Sequence, residues 1–347
     1  MLYFPHAEKH SVFKKRADFP EFIAFLFMAQ VKLTFDDCFA TFPALHPPAD
    51  LEKFWQEALG ELKKVPLESR QKLVLTRSLG RESLMEVSFN GFGRKRLKGF
   101  LSIPRRRGKL PLVISFHDYH GRPDQYRIYT ELGLAHLSIE LRDHELPADP
   151  NQSLPALLEA GALDTLPKSY PYACFLDAVR CIDFARLQKD IDHTKIGLVG
   201  EGFGAAMALF AGFQKKENVT AIAMERPAFL WISRWMDEST SDLAAEMRNL
   251  VQRSRSKTKL KKNLEYLDIL NISEQIRSQV LMIAGLEDQK NAPRPAFAFF
   301  NHMKTEKTME LFPEEDPENN PQKERKKSLD FLAACLQDHA PVEAVDP

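Results

Sequence analysis

Gly200-Glu201-Gly202-Phe203-Gly204 is the stretch of this chain that comes nearest to chemistry. The run Lys195 to Val199 before it reads as a short buried strand, and Ala205 to Phe210 after it as a helix. Strand, tight glycine turn, helix is the setting in which G-x-S-x-G lifts a serine hydroxyl above a sheet for nucleophilic attack. The central position here is Gly202, which keeps the turn and relieves its strain but has no side chain to attack with. Glycines at this spacing also suggest a dinucleotide loop. That loop needs G-x-G-x-x-G early in a βαβ unit and an acidic residue about 20 residues on. Glu225 lies in a Met-Glu-Arg-Pro segment that matches such a second strand poorly, so a structural strand–helix turn fits better.

The elements that must position this turn follow from the hydrophobic pattern. After the start signal Pro47-Pro48-Ala49-Asp50, the residues Leu51, Phe54, Trp55, Ala58, Leu59 and Leu62 recur at helical spacing. Residues 73–75, 84–89 and, after a turn at Asn90-Gly91, 99–103 read as strands. So do 110–116, 137–141, 220–224 and 280–284, while 175–187 and 329–336 read as helices. Strands alternating with helices predict an α/β fold, with a mainly parallel sheet covered by helices on both faces.

At 347 residues the chain is long enough for a large core. Its 48 basic and 48 acidic side chains balance, so no global field points to nucleic acid or to a membrane surface, and neither is an expected partner. Cys38, Cys174, Cys181 and Cys335 are widely spaced, with no C-x-x-C pair and no zinc pattern; neither a metal nor a cofactor is expected. Phe22 to Ala29 is apolar and follows Lys14-Lys15-Arg16. It is short, Asp18 and Glu21 lie in or beside it, and no small-x-small cleavage site follows, so a soluble, cytoplasmic protein is expected. The basic runs 94–98, 105–109 and 253–262 read first as solvated surface.

Several separated motifs give the chain a resemblance. These are Asp50 to Trp55, Phe116-His117-Asp118-Tyr119, Arg142-Asp143-His144-Glu145, Phe175 to Arg180, Tyr266 to Ile269 and Phe299 to Lys307. In this order they resemble the acetyl xylan esterase and cephalosporin C deacetylase family of α/β-hydrolases, over about residues 33 to 336. The resemblance implies a single α/β-hydrolase domain at 33–340 with an N-terminal helical extension that includes Asp50 to Trp55, while residues 1–32 are an extension of uncertain status. Residues 1–27 have no counterpart in the family pattern, and a start at Met28 is the favoured explanation; few contacts between that segment and the sheet domain are expected. The family's rings of paired trimers imply a homo-oligomer here.

What the resemblance implies for the site is mostly loss. The family's triad serine falls on Gly202 and its triad histidine on Pro317, while the triad aspartate is kept as Asp288. Its oxyanion hole uses backbone N–H groups at the positions of Tyr119 and Phe203. Serine attacks and histidine takes its proton, so without both the acceleration largely disappears. Asp118 replaces a glycine, and a carboxylate there would oppose developing negative charge.

Glu201, His117, His120 and His144 are the groups that could substitute, for instance by activating a water. Glu201 also suits a helix N-terminus without any catalytic role, and His117 has a structural counterpart in the family. The resulting expectation is a relative that has lost ester hydrolysis and binds a small acylated or carbohydrate ligand or takes an interaction role. The alternatives are a deacetylase with rearranged machinery, and a scaffolding module whose partner surface is formed by the basic runs and the polar stretch 313–327.

Overall fold

The computed structural model describes residues 34–75, 82–124, 127–142, 158, 163, 165–254, 256–312 and 321–337. The chain divides into two units, 1–32 and 33–347, and every described residue belongs to the second. The expectations placed on the first 27 residues, on His144 and on Pro317 therefore fall outside the described residues.

Two helices come first, α1 (Phe35–Phe39) and α2 (Leu51–Lys64). Three antiparallel strands follow, β1 (Arg70–Leu73), β2 (Glu82–Asn90) and β3 (Arg96–Pro104). Next come β4 (Leu110–Phe116), α3 (Arg127–Glu131), β5 (Ala135–Ile139), α4 (Tyr170–Ala185), β6 (Ile191–Glu201), α5 (Phe203–Gln214) and β7 (Val219–Glu225). Three helices, α6 (Ile232–Glu238), α7 (Asp242–Arg253) and α8 (Lys257–Leu267), lead to β8 (Gln279–Gly285). The series closes with α9 (Pro293–His302), β9 (Lys307–Phe312) and α10 (Pro321–Leu336). The strands form one sheet in the order β1-β2-β3-β5-β4-β6-β7-β8-β9, parallel from β5 through β9.

Side-chain alternation along the central strands divides the core into two layers. Leu112 and Ile114 of β4, Leu198 of β6 and Ile222 of β7 pack in a layer that also holds Trp55, Phe175, Phe203 and Phe210. Their neighbours Val113, Val199, Ala221 and Ala223 face the other way, toward Tyr129 of α3 and Leu329, Leu332 and Leu336 of α10. Helices thus cover both faces, as the sequence pattern predicts. Two strands differ from expectation. The first edge strand is Arg70–Leu73 rather than 73–75, and all four of its residues are exposed, so no buried face marks it in the sequence. Lys307–Phe312 forms the opposite edge strand, which the pattern does not single out.

The motifs that carry the resemblance turn out to be cross-braces. Tyr266 Oη donates to Asp50 Oδ1 at 2.6 Å, and Trp55 Nε1 donates to the Tyr266 carbonyl at 3.1 Å, which ties α2 to α8. Arg142 grips the buried Asp177 of α4 with two bonds, Nε to Oδ2 at 2.6 Å and Nη2 to Oδ1 at 2.8 Å. Asn301 donates to the carbonyls of Phe39 and Thr41, both at 2.9 Å, so the start of the described chain is held on α9. Bidentate and charge-assisted contacts of this kind fix geometry well.

His136 of β5 gives the fold an acid-sensitive point. Its ring is fully buried, stacks on Tyr129 at 3.6 Å and pairs through Nε2 with Ser115 Oγ at 2.8 Å. Burial pushes its pKa down to about 3, from 6.5. Below pH 6.5 the unfolded chain takes up a proton that the folded chain refuses, so stability falls as pH falls, levelling off only near pH 3. The slope is at most ~1.4 kcal/mol per pH unit. His136→Phe keeps the stacked ring without the titration. Urea unfolding at pH 7 and pH 5 is expected to show wild type losing stability relative to this variant; an unchanged difference would contradict a histidine held neutral.

Candidate active site

The turn after β6 is built as the sequence suggests. Gly202 has φ 54° and ψ −119°, a conformation that strains any residue with a Cβ. Its N–H donates to the Glu225 carbonyl at 3.0 Å, which fastens the turn to the end of β7. Gly200 and Gly204 let α5 approach the sheet closely: a Cβ on Gly204 would lie 2.2 Å from the Phe116 carbonyl oxygen. Phe203 then starts α5 with its ring in the core and its N–H pointing back over β4.

That N–H is already taken. The N–H groups of Tyr119 and Phe203, the two donors that the resemblance implies for an oxyanion hole, both donate to Asp118 Oδ1 at 2.8 Å. The second carboxylate oxygen, Oδ2, receives Lys290 Nζ at 2.8 Å. A Cβ added to Gly202 would sit 2.1 Å from Asp118 Oδ1 and 2.2 Å from its carboxyl carbon. The Asp118 carboxylate therefore fills both the donor pair and the space in which a side chain at 202 would stand. From sequence Asp118 is expected only to oppose developing negative charge; in the structure it turns back onto its own neighbour's N–H and onto one 85 residues away.

The flanking groups are electrostatically bound to this plug. Burial opposes a charge on Lys290, but Asp118, with Glu201 and Asp288 beyond it, holds the ammonium above the usual lysine range. Glu201 is pushed up by burial first and by the Asp118 carboxylate second, with Arg325 and Lys290 opposing. Among the described residues its carboxylate accepts no hydrogen bond. Asp288 is 5% exposed; Oδ1 accepts from the Asn291 N–H at 2.8 Å, and Oδ2 faces Arg226 Nη1 at 3.4 Å. Burial raises its pKa, and these donors work the other way. Among the described residues no histidine donates to Asp288. Arg226 is fixed in turn by Glu324 of α10, with Nη2 to Oε1 at 2.7 Å.

The candidate substitutes separate. Both ring nitrogens of His117 are occupied: Nε2 accepts from the Leu141 N–H at 3.2 Å, which leaves Nδ1 to donate to the Asp118 carbonyl at 2.8 Å. It shapes the loop and cannot relay a proton in that state. His120, at φ 62°, lies against Tyr119 with ring centroids 4.2 Å apart. His120, Glu201, Asp118 and Lys290 line one cavity of about 270 Å3, with Trp235 of α6 and Asn291 in its wall. The structure thus gathers Gly202, Phe203, Tyr119, Glu201, His117, His120 and Asp288 at the carboxyl ends of β4, β6 and β8, where ligands bind in open α/β sheets.

Lys290, Arg226 and Arg325 were not singled out from sequence. One signal was available for Arg325. It precedes Leu329, Leu332 and Leu336 at helical spacing, so the apolar face of α10 carries a charge that needs a buried partner. Arg325 Nη2 meets Glu225 at 3.0 Å and Nη1 meets Asp124 at 3.1 Å. Burial pushes the Glu225 acid up to about 7 despite that guanidinium. Glu324 and Arg325 therefore face inward. No described helix is long and apolar enough to cross a membrane.

Known proteins agree with this architecture. The acetyl xylan esterase from Paenibacillus sp. R4 superposes with a TM-score of 0.78 at 23% identity, over 88% of this chain and 100% of its own. Acetyl xylan esterase 1 from Thermoanaerobacterium sp. JW/SL YS485 gives 0.75 at 19% identity, over 87% and 99%. The acylaminoacyl peptidase of Pyrococcus horikoshii gives 0.55 at 16% identity, over 77% of this chain and 44% of that one. These likenesses establish the α/β-hydrolase fold. A family model described as acetyl xylan esterase matches residues 28–335, and on that match the chain belongs to the acetyl xylan esterase family.

Proposed function

We propose that this chain is a non-hydrolytic member of its family, in which the ester-cleaving centre is closed by Asp118 and the cleft above it binds a small ligand without cleaving it. The observation that carries this reading is the Asp118 carboxylate on the N–H groups of Tyr119 and Phe203, directly over Gly202. An oxyanion hole acts by offering preorganised donors to developing negative charge. Here both donors already hold a full negative charge, so a substrate carbonyl finds neither donor nor nucleophile. The position of the family's histidine at Pro317 points the same way.

A second reading rests on Glu201, a carboxylate with a raised pKa and no hydrogen-bond donor among the described residues, in the wall of the cavity. Such a group is suited to activating a water as a general base. Hydrolysis of 4-nitrophenyl acetate by the purified chain separates the two. The expected result is a rate no higher than that of Asp118→Asn or of a heat-denatured control. Turnover above about 1 s⁻¹, within the ordinary enzyme range, that Glu201→Ala abolishes would overturn the non-hydrolytic reading.

A further inference from the structure

Two residues of the basic run 94–98, Arg96 and Lys98, stand on one face of β3, opposite their neighbour Leu97, which packs in the core layer with Trp55. The register places Arg70 of β1, Ser88 of β2 and Lys98 of β3 side by side in one row. Directly paired side chains share a face, with Cβ atoms about 4.5–5.5 Å apart, so a cation flanks the Ser88 hydroxyl on either side. A third cation is fixed against it. Arg96 Nη2 donates to Ser88 Oγ at 2.9 Å and to the Ser88 carbonyl at 3.2 Å, and Nη1 donates to the Glu68 carbonyl at 2.7 Å and to Asn90 Oδ1 at 3.2 Å. All four acceptors are neutral, so these bonds hold the guanidinium in place without cancelling its charge. Because Ser88 Oγ accepts from Arg96, its own hydrogen is left to donate. Among the described residues, Arg70, Arg96 and Lys98 enter no ion pair. The row opens into a groove of about 500 Å3, which Lys72, Phe100 and the carboxylates of Glu86 and Glu140 also line. Glu86 stands one row on, paired with Lys72, and Glu140 lies beyond Lys98, on the side away from Ser88. Charges on an edge strand serve to keep other strands away. That accounts for Arg70 and Lys72 of β1 but not for Arg96 and Lys98, since β3 is paired on both sides, with β2 and with β5.

We propose that this groove binds a small phosphate monoester, with the phosphate on Ser88 between Arg70 and Lys98 and the ester group along Phe100. A phosphate monoester carries about two negative charges at pH 7.5 and offers acceptor oxygens on several sides. That matches one hydroxyl donor and two exposed cations beside a third that is held in place. The groove is larger than a phosphate needs. Glu86 and Phe100, paired with each other in the next row, supply an acceptor and an apolar surface for a polyol. The site is separate from the cleft at Gly202, because β5 and β4 lie between β3 and β6 in the sheet. It is therefore independent of whether that cleft hydrolyses esters.

Glucose 6-phosphate, inorganic phosphate and glucose, each titrated calorimetrically into the full chain at pH 7.5, test the site. Glucose 6-phosphate is expected to bind saturably, at least tenfold more tightly than glucose and more tightly than inorganic phosphate. Arg70→Gln and Lys98→Gln, both at exposed positions, are each expected to weaken it at least fivefold. Lys257→Gln/Lys261→Gln removes two charges from exposed positions of α8 and is expected to leave the affinity unchanged. Thermal melts check that the variants are folded. Absence of saturable binding of glucose 6-phosphate overturns the proposal, and so does unchanged affinity in Arg70→Gln and Lys98→Gln. Equal weakening by the α8 variant would show a general attraction of anions and overturn it as well. Inorganic phosphate binding as tightly as the ester would overturn the place assigned to the ester group.

Discussion

Gly202→Ser is expected to destabilise the chain by about 3 kcal/mol and to produce no esterase. Two terms add in the folded state. A Cβ at φ 54° costs on the order of 1–3 kcal/mol in backbone strain, and overpacking against the Asp118 carboxylate costs a similar amount. The carboxylate cannot simply swing aside, because that would strip Tyr119 and Phe203 of their acceptor and Lys290 of its partner. Asp118→Gly/Gly202→Ser removes the collision, so the double variant should be more stable than the sum of the two single changes implies. A coupling of about 1–3 kcal/mol is in the range for directly contacting positions. Urea unfolding of the four proteins measures it, and strict additivity would show that Asp118 does not occupy the space above Gly202. Activity follows a different order. The single and double variants lack a base, and hydrolysis of 4-nitrophenyl acetate is expected only when Pro317→His is added to the double change. Robust turnover in the single serine variant would reveal a base already in place.

Arg325→Met is expected to cost about 3–5 kcal/mol, the range for leaving a buried partner charge uncompensated. The Arg325 guanidinium lies among Glu225, Asp124 and the Tyr129 hydroxyl. Tyr129 is fully buried, Glu225 is 4% exposed, and solvent can replace little of what the guanidinium supplies. Removing the charge on Glu225 as well should recover part of the loss, so Arg325→Met/Glu225→Gln is expected to be more stable than Arg325→Met alone. Urea denaturation curves test both points. If the single variant unfolds at the wild-type midpoint, the network contributes nothing to the stability of the fold.

The sequence made some of this readable and concealed the rest for physical reasons. The turn at Gly202 was legible because a strand run, three glycines and an apolar helix are all local, and because steric demand leaves few residue types for such a turn. The sheet was legible where β4, β6, β7 and β8 are buried on both faces and read as apolar runs. The edge strand Arg70–Leu73 has no such face. Asp118 as a plug was not legible, since it depends on two N–H groups converging from segments 85 residues apart. Lys290 reaches Asp118 across 172 residues, and Arg226 reaches Glu324 across 98. No periodicity encodes a pair of that kind. The braces Asp50 to Tyr266 and Arg142 to Asp177 were visible as motifs, but only the fold shows that they hold elements together.

On the non-hydrolytic reading proposed above, the Asp118 carboxylate also makes the loss hard to reverse over evolutionary time. A carboxylate at position 118 and a side chain at position 202 exclude each other sterically. From a chain with glycine at 118 and serine at 202, as the resemblance implies, the serine must leave before the aspartate can settle on the two N–H groups. Once it has settled, neither backward step is favoured alone. Restoring the serine meets the carboxylate, and removing the carboxylate uncovers the donors and strands Lys290 while no nucleophile yet benefits. The two positions act as a ratchet, so descendants of this chain are free to change the cleft around Glu201 but are held away from a return to serine chemistry.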